Sequence, residues 1–214
     1  GRYDLLNKIL SGGVDRYWRK KIVRYLPHKK DLQLLDLATG TGDVIFTLLQ
    51  NTSGVFKSLV GMDLSEKMMD IGQEKAQKYY LNNLVTFKKG DATAIPLTNE
   101  RMDVVTMAFG IRNVADVPKT LSEIYRILKS KGRVIILEFS LPNNMLIKQL
   151  YLAYFRHVLP RIGGLLSGDK QAYHYLNQSV ETFPYGRDFC QLLETAKFEN
   201  VTAYSLSGGI ATLY

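Results

Sequence analysis

No stretch narrows the fold of this chain more than Leu34-Leu35-Asp36-Leu37-Ala38-Thr39-Gly40-Thr41-Gly42-Asp43. An apolar run the length of one buried strand ends in a turn with two glycines. Val44, Ile45, Leu48 and Leu49 then follow at the spacing of a helix face. Strand, glycine turn and helix together set backbone N–H groups and a helix N-terminus beside a ligand. Gly40 and Gly42 lack a Cβ, so the chain can bend sharply and a ligand can lie against the backbone. Ala38 and Ile45 replace the first and third glycines of the full dinucleotide fingerprint, so the downstream sequence must decide the ligand.

The same rhythm recurs downstream. Phe56 to Met62 reads as a second strand ended by Asp63, and Ser65 is expected to cap a helix running to about Leu81, with Met68, Met69, Ile71 and Ala76 facing inward. Leu84 to Lys88 is a third strand, ended by Gly90-Asp91-Ala92. Asp103 to Phe109 is a fourth, apolar enough to be central, and it runs into Gly110-Ile111-Arg112-Asn113-Val114. Asp116 with Pro118 opens a helix whose buried stripe is Leu121, Ile124, Tyr125 and Leu128. Lys129-Ser130-Lys131-Gly132 reads as its C-terminus, and Arg133 to Phe139 as strand five, with Glu138 an unusual buried carboxylate. Strand and helix alternating five times predict a doubly wound, mostly parallel sheet with its site at the carboxyl ends of the strands.

Elsewhere the rhythm breaks. Tyr3 to Lys21 reads as helix interrupted at Ser11-Gly12-Gly13, and Pro27 stops its continuation. From Ser140 to Phe183 no strand is expected, and Met145 to Leu159 is helical in length yet apolar around most of its circumference. Pro184 opens a further helix to about Ala196, and Val201 to Leu206 with Ile210 to Leu213 form an antiparallel hairpin around Gly208-Gly209. The expected organisation is a single domain over 1–214, with an N-terminal helical cap over 1–30 and a helical lid over 141–183.

Composition limits the function. The chain is 46% hydrophobic, enough for one sizeable core, and it contains no run that could span a membrane. Cys190 is the only cysteine, so a reducing compartment is expected, and the residue reads as a small core hydrophobe. A net charge of +8 arises from scattered pairs such as Lys20-Lys21 and Lys88-Lys89 rather than a tract. With no zinc finger or aromatic RNP box, nucleic acid is not expected as a partner. No metal site is expected. His28 reads as a surface residue and His157 as a packing residue.

Three acceptors fall at the ends of three successive strands: the glycine turn (Gly40, Thr41, Gly42), Asp63 and Asp91. Asp63 can accept from two ribose hydroxyls, and Asp91 can accept an adenine amino proton while the next backbone N–H reaches a ring nitrogen. A plain Asx-turn is the competing reading of Asp91. The set suits a nucleoside carrying an amino acid, which is S-adenosylmethionine.

The chain resembles the methyltransferases that C-methylate the ring of polyprenyl quinol precursors in menaquinone and ubiquinone biosynthesis. The resemblance covers nearly all of the sequence. It is carried by Tyr3-Asp4-Leu5-Leu6-Asn7, Ser11 to Arg19, Asp36 to Asp43, Gly90-Asp91-Ala92, Leu137 to Ser140, His157 to Gly163, Ala172 to Val180 and Gly208 to Ala211. Phe109-Gly110-Ile111-Arg112-Asn113-Val114 is the most specific of its elements. It implies the class I, Rossmann-like methyltransferase fold with seven strands, S-adenosylmethionine as donor and S-adenosylhomocysteine as product. The family's cofactor positions fall on Thr41, Asp63, Asp91 and Ala92. A further one, usually serine, is Ala108 here, and Asp15 stands where the family usually has histidine.

The implied reaction joins a ring carbon to the sulfonium methyl. A phenol titrates near about 10, so a base or a stabilising cation is needed at neutral pH. Arg112 is the expected cation and Asn113 a donor to the second ring oxygen. His174, Glu138 and Asp43 (through water) are candidate bases, with His174 placed in the catalytic set. The insert from Leu141 to Leu166, with the N-terminal helix, is expected to receive the isoprenoid tail, and Lys148, Arg156, Arg161 and Lys170 to face anionic lipid. A cytoplasmic setting follows, with peripheral contact at the inner membrane and a homodimer left open. A methyltransferase for another lipophilic acceptor and a non-catalytic cofactor-binding subunit remain the alternatives.

Overall fold

Parallel strands β1 (Leu32–Leu37), β2 (Phe56–Asp63), β3 (Val85–Lys89), β4 (Met102–Ala108) and β5 (Leu128–Phe139) pair in the order β3-β2-β1-β4-β5. The sheet continues through β7 (Ala211–Leu213), antiparallel to β5, to β6 (Tyr204–Leu206), antiparallel to β7. The resulting seven-stranded sheet, with its C-terminal hairpin, is the one expected. The computed structural model describes residues 13–142, 144–154, 156 and 178–214. His157, His174, Arg161 and Lys170 lie outside the described residues, as does most of the insert beyond Tyr154.

Alternation along the strands sends side chains to two cores, as period-2 backbone requires. Leu34 and Ile135 join Trp18, Ile45 and Leu48 on one face, beneath α1 (Asp15–Lys21) and α2 (Asp43–Asn51). Ala76 of α3 (Glu66–Lys78) belongs to the same core. Leu35, Val105 and Ile136 join Leu121, Ile124, Phe189 and Leu193 on the other face, beneath α4 (Val117–Ile127) and α6 (Arg187–Thr195). Cys190 is buried in α6, as its core reading requires, and His28 is exposed.

Several expectations are corrected. The chain from β3 to β4 carries no helix: Gly90, Asp91 and Pro96 make a turn-rich loop with an isolated bridge between Asp91 and Ala94, so the alternation fails once. Ser65 occupies the N-cap of α3 but makes no side-chain cap bond, and Ile71 in that helix is exposed. Helix α4 ends at Ile127, and Leu128 begins β5. Lys129 to Gly132 form a bulge in β5 rather than a helix C-terminus, since Met102 pairs with Leu128 and Val104 with Arg133. Tyr125 turns outward and meets Phe198 edge-on at 5.5 Å. Helix α6 starts behind Gly186, not at Pro184.

The described part of the insert is α5 (Met145–Ala153), capped by Asn144, whose side chain accepts from the Leu146 and Ile147 N–H groups. Tyr151 is its buried residue. Lys148 donates to the Tyr185 hydroxyl at 3.2 Å, and Arg156 is paired with Glu181 at 2.5 Å, so both cations have protein partners. No helix among the described residues is long and apolar enough to cross a membrane.

Candidate active site

The glycine turn is built for close approach. Ala38, Gly40 and Gly42 all have left-handed backbones, with φ of 50°, 55° and 80°. A Cβ on Gly42 would lie 2.8 Å from Phe87 Cζ and 2.9 Å from Phe46 Cε2. Behind the turn, α2 begins with no side-chain cap, so its first-turn N–H groups are left for a ligand. Thr41 is buried, its hydroxyl donates to Asp43 Oδ1 at 3.1 Å, and Lys75 Nζ reaches both its carbonyl and its hydroxyl.

The neighbouring strand ends bring the other expected residues to the same edge. Asp63 ends β2 and is locked by two backbone donors, Gly40 N–H at 2.8 Å to Oδ2 and Ser65 N–H at 2.9 Å to Oδ1. A carboxylate has about four acceptor sites, so two remain for ribose hydroxyls. The Asp63 carbonyl accepts from Gly90 N–H at 3.1 Å, which carries the chain to Asp91. Asp91 Oδ1 accepts from Thr93 N–H at 2.8 Å, so the Asx-turn is present. That donor holds the exposed carboxyl below its ordinary range. Ala92 packs on the second core, and Ala108, half-buried, closes β4.

Next to Ala108 the backbone reverses. Phe109 is buried and left-handed, with φ of 57°, an outlier for a bulky side chain. Its ring stacks against Phe139 at 4.6 Å and lies 6.2 Å from Trp18. Gly110 follows, and a Cβ there would sit 2.5 Å from Ala38 Cβ, so this loop and the glycine turn touch with no space between them.

Arg112 lies in a short 3-10 turn, Ile111–Asn113. Its Nη1 donates to the Phe109 carbonyl at 3.0 Å and to Glu138 Oε1 at 2.5 Å, while its Cζ sits 5.3 Å above the Phe139 ring. Nε and Nη2 are buried and have no hydrogen-bond partner among the described residues. Leaving such donors unpaired costs about 1–3 kcal/mol, which a bound oxygen atom would recover. Asn113 is half-buried beside it. Glu138 Oε1 also accepts from the Phe139 N–H at 2.9 Å, so this base candidate from sequence is the buried ion-pair partner of Arg112. Asp43 is engaged too. Burial would raise its carboxyl, but Arg19 and Lys75 outweigh this and hold it below its ordinary value.

Four features escaped the sequence reading. Arg19 and Asp15 form a buried ion pair one helical turn apart, a spacing that the sequence does display. Asp36, a charge inside an apolar strand, accepts from the Thr39 and Thr106 hydroxyls at 2.6 Å each. Burial pushes its carboxyl up to about 7 against the lowering by those hydroxyls and by Arg19. Tyr151 brings a buried phenol close enough to feel the charge of Arg112, and burial holds it above its ordinary range. The strained Phe109 backbone gave no signal beyond the glycine after it. A cavity of about 1150 Å³ opens at the opposite, amino ends of the strands, between Tyr25, Lys129, Arg133 and Tyr214. None of the expected site residues lines it, so its size does not make it the site.

A doubly wound sheet with an antiparallel terminal hairpin, its glycine turn and acidic strand ends gathered along one edge, defines a class I S-adenosylmethionine-dependent methyltransferase. An S-adenosylmethionine-dependent methyltransferase from Aquifex aeolicus shares this fold at a TM-score of 0.67 and 18% identity, over 98% of this chain and 95% of that one. The chain belongs to the ubiE/COQ5 methyltransferase family, whose profile matches residues 1–214. It is 41% identical to the demethylmenaquinone methyltransferase of Bacteroides fragilis over 99% of this chain and 86% of that protein. It is 43% identical to the ubiquinone/menaquinone biosynthesis C-methyltransferase UbiE of Geotalea uraniireducens over 100% of this chain and 90% of that protein.

Proposed function

We propose that the chain methylates a ring carbon of a polyprenyl quinol precursor of menaquinone or ubiquinone, with S-adenosylhomocysteine as the second product. The observation that carries this reading is Arg112: a buried guanidinium pinned at Nη1, with Nε and Nη2 unpartnered, one loop away from the donor turn.

S-adenosylmethionine, when bound, supplies an electrophilic sulfonium methyl. The protein's task is to make the ring carbon nucleophilic and hold it in line. Arg112 Nε and Nη2 form a planar fork suited to a phenolate oxygen, and Asn113 beside them suits the second ring oxygen. Glu138 neutralises most of the net charge of Arg112, so stabilisation comes from aimed N–H groups rather than from a bare cation. Transfer would form the carbon–carbon bond as the carbon–sulfur bond breaks, with that electron pair going to sulfur. The proton on that ring carbon would then pass to water or a base as aromaticity is restored. Positioning can lower the barrier by about 7–11 kcal/mol, more than the roughly 10²–10⁴-fold of a general base. Residues 40–42, Asp63, Asp91, Ala92 and Ala108 are proposed to hold the donor. His174 is proposed as a base candidate, outside the described residues.

The test is incubation of the purified chain with labelled S-adenosylmethionine and either a naphthoquinol or a benzoquinol headgroup, beside Arg112→Ala. Methylation of at least one ring is expected, with turnover lost in the variant. Binding of the donor with no methylation of either ring would favour a different lipophilic acceptor or a non-catalytic role.

A membrane-facing insert is supported by α5, where Met145, Leu146 and Leu150 are 73%, 66% and 65% exposed on a helix bordering the site. The proposed occupant of that face is the acyl region of an anionic bilayer, attracted by the +8 charge and feeding the isoprenoid tail inward. Co-sedimentation with anionic vesicles, reduced in Leu146→Glu/Leu150→Glu, is expected. A salt- and lipid-independent signal would reject it, and a concentration-dependent dimer lost in the same variant would assign the face to a second copy.

A further inference from the structure

Helix α1 reaches into the donor site from outside the sheet. Trp18 anchors it: the side chain is 1% exposed, its Nε1 donates to Ser207 Oγ at 2.9 Å, and its ring packs against the stacked Phe109 and Phe139 at 6.2 and 6.1 Å. Arg19, the next residue, is thereby carried over the junction of the two loops. Its Nη1 is paired with Asp15 and lies 4.0 Å from Asp43 Oδ2, in the first turn of α2, and its Cζ stands 5.6 Å above the Phe109 ring. The guanidinium therefore lies between the helix that follows the glycine turn and the residue that follows Ala108. Hydrogen bonds of the described residues engage only its Nη1.

We propose that Arg19 binds the α-carboxylate of the donor's methionine moiety and that Asp15 positions it for this. The inference rests on the reading that the glycine turn, Asp63 and Asp91 hold S-adenosylmethionine. Within that reading the carboxylate is the only anionic part of a cation-rich ligand, and the turn is surrounded by Asp36, Asp43 and Asp63. An anion entering that field needs more than the partial charge at the N-terminus of α2. Arg19 is paired with Asp15 through Nη1, and it adds the directed donors Nε and Nη2, nine-tenths buried, where charge-assisted bonds are strong. Asp15 holds the fork in orientation through Nη1. This gives a role to the acidic residue at a position the resembling family fills with histidine.

The test uses calorimetric binding of two ligands to the whole chain: S-adenosylhomocysteine, and the same molecule with hydrogen in place of its carboxylate. Wild type is expected to prefer the carboxylate-bearing ligand on the order of 10–100-fold, the worth of charge-assisted hydrogen bonds. Arg19→Gln is expected to lose most of that preference while binding the carboxylate-free ligand within about 3-fold of wild type. Equal losses for both ligands would reduce Arg19 to a packing role and overturn the proposal. If Arg19→Gln does not fold, Arg19→Lys decides: a reduced but surviving preference supports the role, and parallel losses reject it. Failure of wild type to bind S-adenosylhomocysteine at all would instead sink the donor reading.

Discussion

Glu138 Oε1 stands 2.5 Å from Arg112 Nη1, and each side chain is 1% exposed. Two charges so deeply buried depend on each other, because removing one strands the other in low dielectric. Glu138→Leu is expected to cost about 3–5 kcal/mol in urea unfolding, and Arg112→Met a similar amount. The double variant is expected to be more stable than either single one, yet inactive. Additive losses in that cycle would show that the two residues are not coupled.

Arg112→Lys separates charge from geometry. Lysine keeps the cation but not the planar fork, so the paired donors at Nε and Nη2 disappear. Turnover on the preferred quinol is expected to fall roughly 10²–10³-fold, with S-adenosylhomocysteine affinity within about 3-fold of wild type. Retained turnover would mean that charge alone suffices.

Asp36 makes stability depend on pH in the direction opposite to most carboxylates. Its folded-state value of about 7 lies above the ordinary 3.8, so between those values the folded chain keeps a proton that the unfolded chain has lost. Folding is therefore favoured less as pH rises from about 4, and this loss levels off above about 7. In Asp36→Asn that slope is absent. The stability of the variant relative to wild type should climb between pH 5 and 7 by on the order of a few kcal/mol and then flatten. A difference constant across this range would contradict the assignment.

Gly42→Ala probes the turn itself. The residue has a φ of 80°, and an added Cβ would meet Phe87 and Phe46 inside 3 Å. A destabilisation of about 1–3 kcal/mol is expected in thermal or urea unfolding, together with loss of donor binding by calorimetry. Gly54→Ala serves as the control. It is also left-handed, but a Cβ there would meet nothing within 4 Å, so it should share the backbone strain and spare the ligand.

The cluster of glycine turn and strand-end carboxylates was legible in residue order because it is local. A strand, a glycine turn and a helix are contiguous, and Asp63 and Asp91 each sit where a strand must end. Arg112 was legible as a cation, and Glu138 as a buried acid. That they are partners was not, because they lie 26 positions apart on β5 and the loop after β4. Arg19 was missed for the same reason, since only the docking of Trp18 carries α1 to the turn. Lys129 to Gly132 misled because cations followed by glycine read as a helix end, whereas the register between β4 and β5 absorbs them as a bulge. Tyr125 misled because helical periodicity predicts a face but not the width of the core beneath it.

The close approach of Gly110 to Ala38 restricts which residues the two positions can hold together. At position 110 anything beyond a hydrogen needs something smaller than a methyl at 38, since the two positions share one boundary of 2.5 Å. A change at either position is constrained by the other, so the glycine turn and the loop after β4 are tied in sequence as well as in space.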